Sequence, residues 1–395
     1  MVCPTLLLYA GCPLISILVE GSLANARPFQ QRIDRPSTYT HLINAVGGYE
    51  SASFTLSIDS VDMNDWLANG LARHVSVYNP ALETIWEGFV NQIDAGYGNL
   101  TVTRGPLLET TNRLQASYTT VDVSRIPPTE GLQVFTGWID DLPSQAEYGI
   151  LPEIISVGET DPTDATAIAL SYLAAHRVPA TTQVFTSAAN APQVTISCLG
   201  YRYWLLYTYN QLVNVGTINT DAKIIDILTG VDALAVPYNL NNAWLPFNTA
   251  HVATPAAPAT VPRYEYEDRT AWELIQGLTA RGDANQNRWL FGIYANREAW
   301  YTQAPITVEY TLKLSDPSMT IRGPAPVDPW DVKPGKWLLF TEFLPGYMPA
   351  SLDDDPRAMF IESVTFTAPN QIALNVAGET LSDVMASFGL GGVGV

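Results

Sequence analysis

Four groups of residues have types and spacings that could do chemistry. The histidines are His41, His74, His176 and His251. None falls in an HxxxH or HxH spacing, so the sequence predicts solitary structural or surface rings and no metal site. Residues 264–269, YEYEDR, bring Glu265, Glu267 and Asp268 together. Strand alternation would put Glu265 and Glu267 on one face. A glycosidase needs two carboxylates about 5–10 Å apart across a sugar, which neighbours in sequence seldom supply. A solvated strand end running into an Asp-capped helix is the expectation there. Residues 352–357, LDDDPR, could offer oxygens to calcium but lack the spaced acidic pattern of a calcium loop, so a polar turn is expected. Residues 280–283, ARGD, contain an adhesion tripeptide, yet Gly282 stands where a helix C-terminal glycine belongs. There is no G-x-S-x-G, P-loop, G-x-G-x-x-G or Cys/His constellation. The sequence thus assigns no catalytic, cofactor-binding or metal-ligating residue, and the expectation is a chain that is not an enzyme and carries no cofactor.

Bulk properties narrow the partners. Net charge is −19, from 39 acidic and 20 basic residues among 395. Gripping phosphate requires Lys/Arg clusters, and none are visible, so specific nucleic-acid binding is not expected. An anionic wall can still serve DNA as a surface to which phosphate does not adhere. Hydrophobic residues make up 47% and charged residues only 15%. Such a chain must cover itself with Thr, Ser, Asn, Gln and apolar groups, or hide surface in an assembly. Cys3, Cys12 and Cys198 form no disulfide framework, which fits folding in a reducing, intracellular compartment. Residues 3–19 are apolar, but no Lys or Arg precedes Arg27, and Pro4 and Pro13 interrupt the run. Two short strands joined at residues 11–13 are expected there, not a signal peptide or a membrane span.

The elements that must position these groups are mostly strands. Ala52, Phe54, Leu56 and Ile58 recur every second residue, as in a half-buried strand. Residues 61–72 read as a short helical or irregular connection. Residues 74–103 read as strand, turn, strand, turn, strand, with turns at NPAL and AGYG. WEGFVNQI (86–93) and FTGWIDDL (135–142) share a pattern, and a Gly between two strand aromatics permits a bend or close backbone approach. Helices are expected at 161–179, 221–231, 268–282 and 379–389, from Asp caps, Ala/Leu runs and terminal Gly or Pro. Residues 193–210 read as two strands around Leu199 and Gly200. Residues 254–262 read as a linker, and strands close the sequence at 336–343, 358–367 and 371–377. About fifteen short strands and four helices predict a mainly β protein with inserted helices. The ten Trp and nineteen Tyr are scattered through the strands, as core or as an interface or sugar-stacking surface.

Several stretches together resemble one family, the hub or tail-tip proteins of tailed bacteriophages, related to the baseplate hub of contractile tails. They are SASFTLSI (51–58), DWLANGLARHVSVYN (65–79), WEGFVNQI (86–93), GPLLETTNRLQASYTTVD (105–122), AEYGILPEIISVGETDPTDATAIALSYLAAHRVP (146–179), VTISCLGYRYWLLY (194–207), IQGLTARGDANQNRWLFGIYANREAWY (275–301) and PWDVKPGKWLLF (329–340). Order and spacing follow the family from about residue 45 onward. The resemblance implies tandem antiparallel tube-type β-barrels with a small α/β insertion. Residues 1–145 would form a first barrel. Residues 146–215 would begin the second, 216–305 would be an α/β insertion, and 306–395 would complete the second barrel with a C-terminal helix. It further implies a homotrimeric ring that joins a sixfold tail tube or distal tail protein to a threefold spike or central fibre. In that ring DNA is passing cargo, there is no stable membrane insertion, and the chain resides in the virion tail after folding in the host cytoplasm.

Two rival readings have their own requirements. A receptor- or glycan-binding tail protein needs exposed aromatics beside polar acceptors in a concave site. A carbohydrate-active enzyme needs a cleft with paired carboxylates, Glu265 or Glu267 among them.

Overall fold

Alternation in the N-terminal third makes strands because each buries every second side chain. The computed structural model describes residues 15–21, 30–34, 36–122, 129–206, 216–229, 247–262, 269–313, 321–323, 327–342, 355, 357–369 and 371–377. Strands β1 (Ser16–Glu20), β2 (Gln30–Ile33), β3 (Thr38–Asn44) and β4 (Gly47–Leu56) lead to helix α1 (Ser60–Asn69), then β5 (His74–Tyr78) and β6 (Thr84–Arg104). Next come β7 (Arg113–Asp122), β8 (Thr129–Phe135), β9 (Ile139–Asp140), α2 (Leu142–Tyr148), β10 (Pro152–Glu159) and α3 (Pro162–His176). The chain continues through β11 (Thr181–Gly200), β12 (Thr217–Asn219), α4 (Thr220–Thr229), β13 (Asn248–Val252), β14 (Thr260–Pro262) and α5 (Ala271–Arg281). The last strands are β15 (Trp289–Ile293), β16 (Glu298–Gln303), β17 (Val308–Lys313), β18 (Trp337–Thr341), β19 (Ala358–Thr367) and β20 (Gln371–Ala377). The fold is mainly β with a few helices, as the strand patterns require.

The strands form three sheets. The largest has fourteen strands, with the main path β17-β18-β19-β3-β4-β11-β6-β5-β1-β2. β7, β8, β9 and β10 form a second sheet, and β12 pairs with β14 in a third. Among the described residues the main path does not return on itself, so no closed barrel is seen. Pairing is also mixed where antiparallel strands were expected. β7 and β10, β13 and β16, β4 and β15, and β17 and β18 all run parallel. Parallel neighbours need a long crossover, and the chain between β7 and β10 supplies one that contains α2.

Packing follows the patterns. In β4, Ala52, Phe54 and Leu56 point inward, while Ile58 lies beyond the strand. Phe54 meets Trp66 of α1 edge to face, with ring centroids 6.3 Å apart. Asp59 caps α1, accepting from the amides of Val61 and Asp62 at 2.8 and 3.0 Å, so α1 presents Met63 and Trp66 to the sheet. Trp86, Phe89 and Tyr201 belong to the same core. β4 and β15 touch through Gly48, whose φ is +75°. A Cβ there would lie 2.3 Å from the Ile293 carbonyl oxygen, so only glycine permits this approach.

Several local expectations shift. α5 is capped by Thr270 in a capping box with Glu273, not by Asp268. β11 ends at Gly200 and Tyr201–Leu205 forms a 3₁₀ turn in place of a second strand, because Tyr201 turns inward to pack on Phe89 and His74. The matching octapeptides are not structural equivalents. Residues 86–93 lie within β6, whereas 135–142 hold a strand end, a loop and the two-residue β9. Gly88 does make the close approach expected, since a Cβ would sit 2.2 Å from the Leu199 carbonyl oxygen; Gly137 has open space. The expected strand at residues 3–12 and helix at 379–389 lie outside the described residues.

Candidate assembly surface

The 21-residue β6 cannot be straight. Asp94 and Thr103 are nine residues apart, about 30 Å in an extended strand. Yet Thr103 Oγ1 donates to Asp94 Oδ1 at 2.5 Å. Gly105 also returns against the backbone of Asn91 and Gln92. β6 therefore reverses near Gly98, which has φ +58° and no atom within 4 Å of a built Cβ. The AGYG turn expected at 95–98 is thus present, but inside one continuously paired strand. β11 follows the reversal, pairing residues 181–185 with 104–100 and 193–200 with 96–88, with register shifts between Phe185, Asn190 and Gln193. The result is a folded two-stranded arm.

The root of the arm is fixed. The Arg104 guanidinium donates to the carbonyls of Leu67 and, at 3.0 Å, Ala68, and to the Tyr148 hydroxyl at 2.7 Å. The Gly105 amide donates to the Ala180 carbonyl at 2.9 Å. Beyond that root the arm is bare. Tyr97 is 56% exposed, Val184 56% and Phe185 71%. β4 pairs β11 only at residues 194–199, so among the described residues the outer edge of 181–193 has no strand beside it. No Asp, Glu, Lys or Arg occurs between Arg177 and Arg202, or between Asp94 and Arg104. An exposed, uncharged, partly apolar strand edge is what monomeric proteins avoid.

At its sheet end the arm is held by a partly buried ion pair. The Glu50 carboxylate in β4 accepts from the Arg202 guanidinium at two nitrogens, from the Tyr203 hydroxyl at 2.5 Å and from Asn44 Nδ2 at 3.0 Å. Both charged side chains are 12% exposed. The guanidinium also lies 4.2 Å from the Tyr203 ring centroid and 5.0 Å from that of Trp272.

The structure scatters the residues that could have done chemistry. His41 is buried, 2.9 Å from the Tyr39 hydroxyl and stacked on Phe366; burial, then the Lys333 charge, lowers its pKa to about 3. His74 stacks on Tyr201 and bonds its hydroxyl at 2.5 Å; burial, then Arg297, lowers it to about 4. His176 stacks on Tyr172, and His251 on Trp300 with centroids 4.1 Å apart. Each ring therefore serves a separate contact. Asp355 is clasped by Arg357 through Nε and Nη2, and Arg357 hydrogen bonds hold its carboxyl below the usual range. Gly282 ends α5 with φ +65°, and Asp283 accepts from the amides of Asn285 and Asn287 at 3.0 Å each. Glu265, Glu267, Asp268, Asp353, Asp354, Cys3 and Cys12 lie outside the described residues; Cys198 is buried. Among the described residues no three His, Cys, Asp or Glu side chains converge as metal ligands, and no helix is long and apolar enough to cross a membrane.

One concave site accompanies the arm. A cleft of about 440 Å³ lies between β15, β16 and the 333–336 loop, lined by Tyr49, Tyr294, Trp300, Glu298, Gln303 and Lys333 among others. Trp300 is 38% exposed, with His251 over its ring and its Nε1 3.3 Å from Glu298 Oε2. Sequence reasoning singled out neither the cleft nor the Glu50–Arg202 pair, whose parts are 152 residues apart. The arm's missing charges were readable in the sequence, but not their exposure.

No family model matches this sequence, and no curated protein matches it. Among solved structures, the chain is similar to the 43 kDa tail protein of prophage MuSo2 from Shewanella oneidensis, at 8% identity and a TM-score of 0.39, covering 92% of this chain and 96% of that one. It is also similar to the tail protein from Neisseria meningitidis MC58, at 8% identity and a TM-score of 0.41, with 92% and 96% covered. Both of these structural neighbours are tail proteins.

Proposed function

We propose that this chain is a structural, non-enzymatic component of a bacteriophage tail, a hub that forms a trimeric ring around the DNA passage. The ring would link a sixfold tail tube or distal tail protein to a threefold spike or central fibre. The observation that carries the reading is the folded arm: a rooted, uncharged ribbon with Phe185, Val184 and Tyr97 exposed is built to be covered by another subunit. The sequence stretches that resemble the hub family support it, as does a charge of −19, which keeps phosphate from adhering to a channel wall. Tandem tube-type barrels, with the domain limits 1–145, 146–215, 216–305 and 306–395, belong to the same proposal. So does residence in the virion after folding in the host cytoplasm.

The test is to image purified tail particles by electron microscopy with antibody against this chain. Three copies at the distal tip of the tail tube are expected. Particles that lack the chain, or carry it in the head, would overturn the reading.

The cleft beside Trp300 favours a second reading, glycan recognition, because an exposed indole flanked by Glu298 and Gln303 is a sugar-stacking arrangement. Under that reading a glycan array gives a saturable hit that Trp300→Ala abolishes. Under the hub reading the array stays blank.

A further inference from the structure

The arm does not stand alone as an uncharged open edge. β20 pairs only with β19, so among the described residues its other edge is also free. Its sequence, QIALNVA, carries no charge. Gln371, Ala373 and Asn375 are exposed, while Ile372, Leu374 and Val376 turn partly toward the core. Among the described residues other strands are also paired on one side only, but β2, β8, β10 and β17 carry charged residues, and β12, β13 and β14 span five residues or fewer, which leaves two long uncharged edges. One is on β11 over residues 181–193 and one on β20 over residues 371–377, and both are neutral in a protein of net charge −19.

We infer that these two edges are complementary, and that residues 181–187 of one copy add as a strand to β20 of the next. This names the partner and the contact for the assembly reading above, and rests on it. The occupant is a second copy on grounds of charge. Two molecules of −19 repel wherever their acidic surfaces meet, and the repulsion is least where neither contributes a charge. Main-chain hydrogen bonds supply the attraction in β-augmentation and require no side-chain charge. Phe185 and Val184 then provide the buried apolar anchor that a neutral contact needs. The usual blunting devices, an edge Lys or a proline, are missing from 181–191; the nearest prolines, Pro179 and Pro192, bracket that stretch. Because donor and acceptor edges differ, the contact is head-to-tail, and such contacts build rings when the rotation closes.

Light scattering on the purified full-length chain tests this with two variants, both checked for native circular dichroism. One carries Val184→Asp and Phe185→Asp on the arm. The other carries Ala373→Asp and Asn375→Asp on β20. The wild-type chain is expected to associate at about 100 μM, where a contact with Kd near 1 μM is almost fully formed. Each variant alone is expected to be monomeric. An equimolar mixture is expected to give a dimer, because the β20 variant still offers an arm and the arm variant still offers a β20 edge. A wild-type chain monomeric at that concentration overturns the inference. So does association surviving in the arm variant, or in the β20 variant, the latter marking arm-to-arm pairing. A mixture that stays monomeric also overturns it. The assay needs no virion, so its failure is distinct from failure to find the chain in tails.

Discussion

Arg202→Ala is expected to lower the free energy of unfolding by about 2–3 kcal/mol, below the cost for a fully buried pair because the stranded Glu50 carboxylate is only partly buried. Glu50 keeps only the Tyr203 hydroxyl and Asn44 amide once the guanidinium is gone. The loss also removes the cation that lies over Tyr203 and Trp272, so the turn that follows β11 loses its anchor on β4. Urea denaturation of the two proteins measures the difference. Arg202→Ala combined with Glu50→Leu is expected to recover part of it, since removing both charges abolishes the stranded carboxylate. A single variant within 1 kcal/mol of wild type would show that the pair carries no such role.

Acid is expected to produce an effect of similar size. His41 and His74 are neutral in the folded protein, with pKa values lowered from 6.5 to about 3 and about 4. The unfolded chain binds these protons more readily, so their contribution to stability is complete above pH 6.5. It is lost as pH falls toward 4 and 3. For His41 alone the linkage amounts to about 3 kcal/mol between pH 7 and pH 4. His41→Phe places a second apolar ring against Phe366 and removes the titration. Its denaturation midpoint should therefore fall less between pH 7 and pH 4 than that of the wild-type chain. Parallel curves for the two proteins would assign the acid sensitivity elsewhere.

Local rules made much of the fold legible. Period-two alternation located β4, turn residues bounded β5, and cap chemistry located α3. The same rules named Asp268 for the cap of α5, because an Asp at a helix start is a strong signal, yet the Thr270–Glu273 capping box two residues on supplies both hydrogen bonds. They read residues 193–210 as two strands around Leu199 and Gly200; Tyr201 instead fills a hole beside Phe89 that exists only once β6 and β11 pair, and residues 207–210 lie outside the described residues. Parallel pairing was hidden for a similar reason, since the direction of a neighbour depends on the crossover and not on the strand. As for the candidate surface, AGYG announced the turn within β6, whereas the charge-free run between Arg177 and Arg202 acquires meaning only once the structure shows it exposed. That the two strands double back together depends on Asp94 meeting Thr103, which no local pattern encodes.

The order of strands in the main sheet has a consequence for synthesis. β3 lies between β4 and β19, and the Thr40 hydroxyl donates to the Phe366 carbonyl across 326 residues of chain. A ribosome releases β3 and β4 well before β19, the strand that covers the outer side of β3 and lies 326 residues downstream at Phe366. Throughout that interval Tyr39 and Ile43 face water on an open flank. Contacts so distant in sequence form slowly, and nascent chains in that condition call for a chaperone or for rapid completion of translation. A product that stops short of β19 would keep this sticky flank permanently.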